Sequence, residues 1–204
     1  MNHKNKISIF ASALIKIFLF FMFSPSLLYS QGDQNQKGML WNIGIGPSYI
    51  DSSIPWSDVY KRGVNYELSG IFGLRQIDNA DFEFGVNYSR HSIDSNKFPG
   101  LEGGDLGATI LKFGILYYLD EPRPEKALFF LHGGWGRYLL NIADINIGDS
   151  TASIEEQNGN VVYAGVGFFY PTENFMFYFK PRYEIMFIEG ENLRYYPLTM
   201  GLVF

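Results

Sequence analysis

The 204-residue chain contains no cysteine. Disulfides, thiol catalysis and thiolate metal sites are thereby excluded together. Histidine is nearly as scarce, and only His91 and His132 lie beyond the first few residues. A lone imidazole lacks the partner spacing of a zinc site, so no metal centre is expected. Bases are few once residues 1–30 are set aside: 13 remain against 21 acids, a net of −8 with histidine neutral. Nucleic-acid binding needs a basic footprint, so that function class is excluded too. The glycine-rich pieces, Gly100 to Gly107 and Gly133-Gly134-x-Gly136, lack the strand–loop–helix setting that cradles phosphate, and no cofactor is expected. A charge-free apolar run of the roughly 20 residues a membrane helix requires is also missing. The nearest candidate, Ile7 to Phe23, is split by Lys16.

With its flanks, that run has the layout of a secretory signal peptide. Lys4 and Lys6 precede it, Ser24-Pro25-Ser26 ends it, and Leu28-Tyr29-Ser30-Gln31 follows as a cleavage region. Residues 1–30 are the expected signal, cut after Ser30, although Leu28 is large for its place. Residues 31–38 then form a short polar leader, and residues 39–204 a single domain. Aromatic residues are abundant there. The chain carries 14 Tyr, 19 Phe and 3 Trp, together with 22 Gly, a composition that favours β structure.

From residue 39 onward, eight segments alternate: about 39–50, 61–75, 80–92, 106–119, 127–142, 160–171, 175–188 and 194–204. Strand side chains point to opposite faces with period two. Val64, Tyr66, Leu68 and Phe72 oppose Asn65, Glu67, Ser69 and Arg75. Phe82, Phe84, Val86 and Tyr88 oppose Asp81, Glu83, Asn87 and Ser89. Leu111, Phe113, Ile115 and Tyr117 oppose Lys112, Gly114 and Tyr118, and Phe175, Phe177, Phe179, Tyr183, Ile185 and Phe187 oppose Lys180, Arg182 and Glu184. The uniform face is large and aromatic. The other mixes Gly, Asn and Ser with charges of both signs: Glu67, Asp81, Glu83 and Glu184 against Arg75, Lys112, Lys180 and Arg182. A soluble lipocalin-like carrier would put its apolar face inside. Here the charged face fits better as a narrow lumen in which acids and bases satisfy one another, because buried charges persist only when paired. Connections alternate between short (76–79, 120–126, 172–174) and longer (51–60, 93–105, 143–159), with 189–193 a short exception.

The chain ends with Tyr196, Leu198, Met200, Leu202 and Phe204 on one face. This ending resembles the C-terminal signal read by the barrel-assembly machinery of bacterial outer membranes. Together with the export signal and the alternation, it makes the chain similar to the small eight-stranded outer-membrane proteins of OmpA/OmpX type. The resemblance implies an all-β, eight-stranded antiparallel up-and-down barrel, outer-membrane lipids as partners, and both termini on the periplasmic side. It brings no functional motif. Eight strands leave an interior just filled by side chains, so a structural or surface-interaction role without an open pore is expected.

Other features are set against this reading. His91-Ser92, followed by Ser95-Asn96, resembles the His-x-Ser-Asn motif of outer-membrane lipid A deacylases, with altered spacing. A serine nucleophile needs a base within hydrogen-bond reach. His132 lies mid-strand and is expected to make a lumen hydrogen bond. The connections expected on the external side hold Asp51, Asp58, Asp94, Glu102, Asp105, Asp144, Asp149, Glu155, Glu156, Glu189 and Glu191 against Lys97 alone, a sum of −10. A solvated surface is expected, with divalent cations as the alternative. Trp41, Phe82, Tyr117, Tyr170 and Phe204 are placed at the periplasmic girdle, and Tyr49, Tyr88 and Tyr196 at the external one. Pro47, Pro181 and Pro197 imply bulges or strand ends. Arg137, on the apolar face of the fifth segment, is expected to reach the external interface.

Overall fold

A sheet with two chemically different faces leaves no edge unpaired only if it closes on itself. The computed structural model describes residues 39–73, 79–120, 126–148, 150–172 and 175–204. The expected signal and leader, Arg75 and parts of the short turns lie outside the described residues. In chain order the elements are β1 (Leu40–Ile50), α1 (Trp56–Val59), β2 (Gly63–Gly73), β3 (Ala80–His91), β4 (Leu101–Gly103), β5 (Leu106–Tyr118), β6 (Leu128–Ile142), β7 (Ile145–Ile147), β8 (Ser150–Ala152), β9 (Gln157–Pro171), β10 (Met176–Met186) and β11 (Leu193–Val203). Eight strands form a closed barrel in the order β1-β2-β3-β5-β6-β9-β10-β11 and back to β1. Antiparallel pairing of β1 with β11 closes it, and Trp41 and Phe204 exchange backbone hydrogen bonds of 2.8 and 2.9 Å at the seam.

These eight strands are the eight alternating segments. The largest shift is at the start of β9, where Gln157-Asn158-Gly159-Asn160 shows no apolar alternation yet pairs with Arg137–Leu140 of β6. Three-residue β4, β7 and β8, which make a separate small sheet in the order β4-β7-β8, and four-residue α1 are too short to carry a periodic signal. The prolines correct an expectation. Pro47, Pro181 and Pro197 lie inside β1, β10 and β11, and the register is the same on both sides of each. No residue is inserted, so there is no bulge. Each proline removes a ladder donor, and pairing lapses locally between β1 and β11, β10 and β11, and β9 and β10.

Facing outward are Ile43, Ile45, Leu111, Phe113, Ile115, Leu131, Trp135, Val166, Phe177, Met200 and Leu202, each more than a third exposed. Facing inward, Glu67, Glu83, Lys112, Lys180, Arg182 and Glu184 are buried. A soluble carrier requires the opposite arrangement. Connections 51–62, 92–105 and 187–192, with the described residues of 143–156, gather at one end of the barrel, and the strand ends Gly73, Ala80, Tyr118, Leu128, Pro171 and Met176 lie at the other. No helix among the described residues is long and apolar enough to cross a membrane.

Candidate functional site

The interior is built in three layers. Its middle is a belt of charge contributed by four strands. Glu67 of β2 receives Lys112 of β5 at 3.1 Å, Arg182 of β10 at 2.5 Å, and also Lys180 of β10. Glu83 of β3 receives Lys180 at 2.5 Å and Lys112 at 3.5 Å. Arg182 also donates to Glu184 two positions along its own strand. Three carboxylates thus face three cations. The neutral lumen residues complete the network: Asn65 donates to Thr199 at 2.8 Å, and Asn87 donates to Asn65 and Glu67 at 3.2 and 3.3 Å. Taking such charges out of water costs several kcal/mol per ion, offset only by close, multiply bonded pairs. Asp81 stands apart from the belt and accepts the Tyr118 hydroxyl at 2.5 Å.

Two apolar layers lie above and below, and the sequence did not announce them. Toward the long loops, Leu106, Ile110, Leu140, Val161, Met186 and Leu193 form one cluster. Toward the short turns, Ile71, Leu116, Phe130, Phe169, Tyr178 and Val203 form another. The available signal was in β5, whose inward positions Leu106, Ala108, Ile110 and Leu116 are apolar on either side of Lys112. Two facing glycine pairs, Gly114 with Gly134 and Gly44 with Gly201, make room for large rings. Tyr163 pairs with Gly134 and brings its hydroxyl against Gly114, while Tyr178 pairs with Gly201 and brings its hydroxyl against Gly44.

His132 corrects an expectation. Its ring is buried, and neither nitrogen has a hydrogen-bond partner among the described residues. It packs instead against the rings of Phe130 and Tyr163, at 5.8 and 5.9 Å. His91 also points inward and is fully buried. Its Nδ1 lies 3.0 Å from the Lys61 carbonyl and its Nε2 3.2 Å from Ser48 Oγ. Ser92 follows the end of β3 and is exposed. Ser95 Oγ accepts from Lys61 Nζ at 3.3 Å. The fold therefore brings His91 to neither Ser92 nor Ser95. The serine it does meet, Ser48, is itself buried.

The long loops form a structured cap. Trp56 of α1 stacks on Tyr60 with centroids 6.0 Å apart, and Tyr60 bridges to Ile93. Most of the loop acids with defined partners are engaged locally. Asp94 takes Lys61 at 3.4 Å, Asp58 takes Lys97 at 3.3 Å, and Asp105 takes Arg90 at 2.6 Å. Lys61 and Arg62 belong to the first loop rather than to β2, so this end is less acidic than the segment boundaries implied. The Ser53 amide and hydroxyl hold the Asp51 carboxyl below its usual range. No group of three or more His, Asp or Glu side chains among the described residues could hold a metal ion.

Burial, then the charge of Asp105, pushes the Tyr60 hydroxyl up to about 12, against about 10 in an unfolded chain. The folded state therefore favours the protonated form. The contribution of Tyr60 to cap stability is complete below pH 10 and is lost as pH rises through 12. In a variant retaining Trp56 as its only tryptophan, fluorescence should report loosening of the stacked pair over this window. Tyr60→Phe should abolish the transition; if it persists unchanged, Tyr60 is not its source.

The wall carries ring contacts at both ends. Tyr66 stacks on Tyr88 at 6.4 Å, and Tyr183 meets Tyr196 at 4.7 Å, toward the long loops. Trp41 meets Phe84 at 5.7 Å and Phe129 meets Phe168 at 5.8 Å, toward the short turns. Tyr196, Met200, Leu202 and Phe204 are exposed on the wall and Leu198 is half-buried in the same row.

No family profile matches the sequence, and comparison with curated proteins finds no match. Solved structures with the same fold do exist. The attachment invasion locus protein Ail of Yersinia pestis superposes with a TM-score of 0.53 at 16% identity, covering 81% of this chain and 97% of that one. Neisserial surface protein A gives 0.53 at 17% identity, with 81% and 95% covered. The outer membrane protein OprG of Pseudomonas aeruginosa gives 0.50 at 14% identity, with 84% and 98% covered. The architecture of this chain is that of the small eight-stranded outer-membrane β-barrels.

Proposed function

We propose that the protein is a non-enzymatic β-barrel of a bacterial outer membrane, with its interior filled by side chains and its loop cap serving surface interaction. The observation that carries this reading is the reversed polarity of the barrel. Val166 and Met200 are about half exposed on the outside, at 52% and 53%, while Lys112 and Glu83 are fully buried inside. A soluble monomer rarely exposes a contiguous apolar patch beyond a few hundred Å², whereas a spanning barrel needs an apolar band about 25 Å tall. The charged belt between two apolar layers supports a closed interior. The ordered cap, with α1 and the β4-β7-β8 sheet, supports a surface role. The row from Tyr196 to Phe204 supports recognition by the barrel-assembly machinery. A lipid-hydrolysing role has no comparable support, because His91 turns inward and both its nitrogens are engaged.

Reconstitution tests both halves of this reading. The protein should fractionate with the outer membrane and migrate differently in detergent gels before and after boiling. In planar bilayers it should show no unitary conductance above leak. A soluble protein of unchanged mobility would overturn the membrane reading, and stepwise conductance would overturn the closed interior.

A further inference from the structure

Arg137 interrupts the apolar outer row of β6, immediately beyond Trp135. A guanidinium on the wall of a spanning barrel is costly at the membrane midplane and close to cost-free at its interfaces. Its position next to the end of the apolar row therefore places it at headgroup level. Its local partners are neutral. Nη1 donates to Asn160 Oδ1 at 3.2 Å and Nη2 to Asn158 Oδ1 at 3.1 Å. No carboxylate among the described residues pairs with it, in contrast to Arg90, which is held by Asp105. The nearby Glu156 is occupied by Asn141 at 2.9 Å.

Arg137, Asn158 and Asn160 are all exposed, and the positive charge of the guanidinium meets only neutral partners among the described residues. Each asparagine turns its oxygen to the guanidinium and so presents its amide NH2 outward as a further donor. Arginine suits phosphate because its planar fork donates two parallel hydrogen bonds. The wall is tallest here: β6 and β9 each run 15 residues, against 11 in β1, β2, β10 and β11. Below Trp135, Gly133 faces Ala164 across the β6–β9 pair, a small-residue step between the larger Trp135–Val162 and Leu131–Val166 pairs.

We propose that Arg137, Asn158 and Asn160 bind the phosphate of a lipid headgroup in the outer leaflet, with an acyl chain lying over the small-residue step at Gly133 and Ala164. The proposal rests on the membrane reading above. Positive charge, neutral orienting groups and an adjoining apolar track together select a phosphorylated lipid over a soluble anion or a peptide.

The test is native mass spectrometry of the delipidated full-length barrel in detergent, titrated with phosphorylated lipid A and with the same lipid after enzymatic dephosphorylation. Wild type should bind the phosphorylated form about tenfold more tightly, the scale of a charge-assisted hydrogen-bond pair. Arg137→Gln should lose that discrimination, and Arg90→Gln should keep it. If Arg137→Gln does not give the folded gel band, the double variant Asn158→Ala/Asn160→Ala supplies the same readout with the same expected direction. Equal binding of both lipids by folded wild type, or discrimination retained by Arg137→Gln, overturns the site. Full competition by inorganic phosphate at equal concentration overturns the lipid assignment. Either result leaves the membrane reading standing, because the heat-dependent mobility of wild type reports on that separately.

Discussion

Replacing Glu67 by Gln should lower the unfolding free energy by roughly 3–5 kcal/mol, the cost of removing one partner from a buried ion pair. Glu67 is the carboxylate shared by Lys112, Lys180 and Arg182. Without it, three buried cations face only Glu83 and Glu184, and the glutamine that replaces it has a neutral oxygen to offer. The effect should appear as a lower urea midpoint in lipid vesicles and as loss of the fast-migrating unheated band. Adding Lys112→Gln restores the balance to two and two, and it should recover about 1–3 kcal/mol relative to the summed single effects. Lys97→Ala, which breaks an exposed pair with Asp58 at 3.3 Å, should cost less than about 1 kcal/mol. A Glu67→Gln protein within 1 kcal/mol of wild type would show that the belt does not hold the barrel together.

The belt could be read partly in advance, and the reason lies in period two. Glu67, Glu83, Lys112, Lys180, Arg182 and Glu184 all sit opposite aromatic residues in alternating segments, so their common face followed once strands were assigned. Which acid meets which base depends on stagger between strands far apart in sequence. Glu67 and Arg182, 115 residues apart, carry no local sign of each other. Asp81 shared the face but not the belt, because it lies at the short-turn end, opposite Leu116 of β5. The apolar layers were hidden for a related reason. Where inward positions become apolar, as at Leu106 and Ile110, alternation fades and polarity no longer tells inside from outside. His91 shows the limit most sharply. Its neighbours in sequence, Ser92 and Ser95, suggested one chemistry, and its neighbours in space, Ser48 and Lys61, came from another strand and loop.

Two adjacent glycines in β6 should respond very differently to the same methyl group. Gly133 faces outward, and a Cβ there would meet the Tyr163 carbonyl at 3.2 Å and Ala164 at 3.7 Å, so the carbonyl need give by only a few tenths of an ångström. Gly133→Ala should stay within about 0.5 kcal/mol of wild type, as surface substitutions usually do. Gly134 faces inward opposite Gly114, and a Cβ there would run into the Phe113 carbonyl oxygen and lie 2.6 Å from the Gly114 Cα. Those obstacles are backbone, which cannot rotate aside, and the two strands would have to separate. Separation would also disturb the seat of Tyr163, whose hydroxyl rests against Gly114. Gly134→Ala should therefore cost roughly 1–3 kcal/mol, the usual range for overpacking, and Gly134→Val should prevent recovery of the folded band. Urea titration of both alanine variants in the same vesicles decides the matter. Equal midpoints would mean that the facing glycines are dispensable and that the lumen rings can find other seats. A large drop for Gly134→Ala alone would mean that the small residues in these strands are chosen by the rings packed over them, which also accounts for the chain's combination of frequent glycine and frequent tyrosine and phenylalanine.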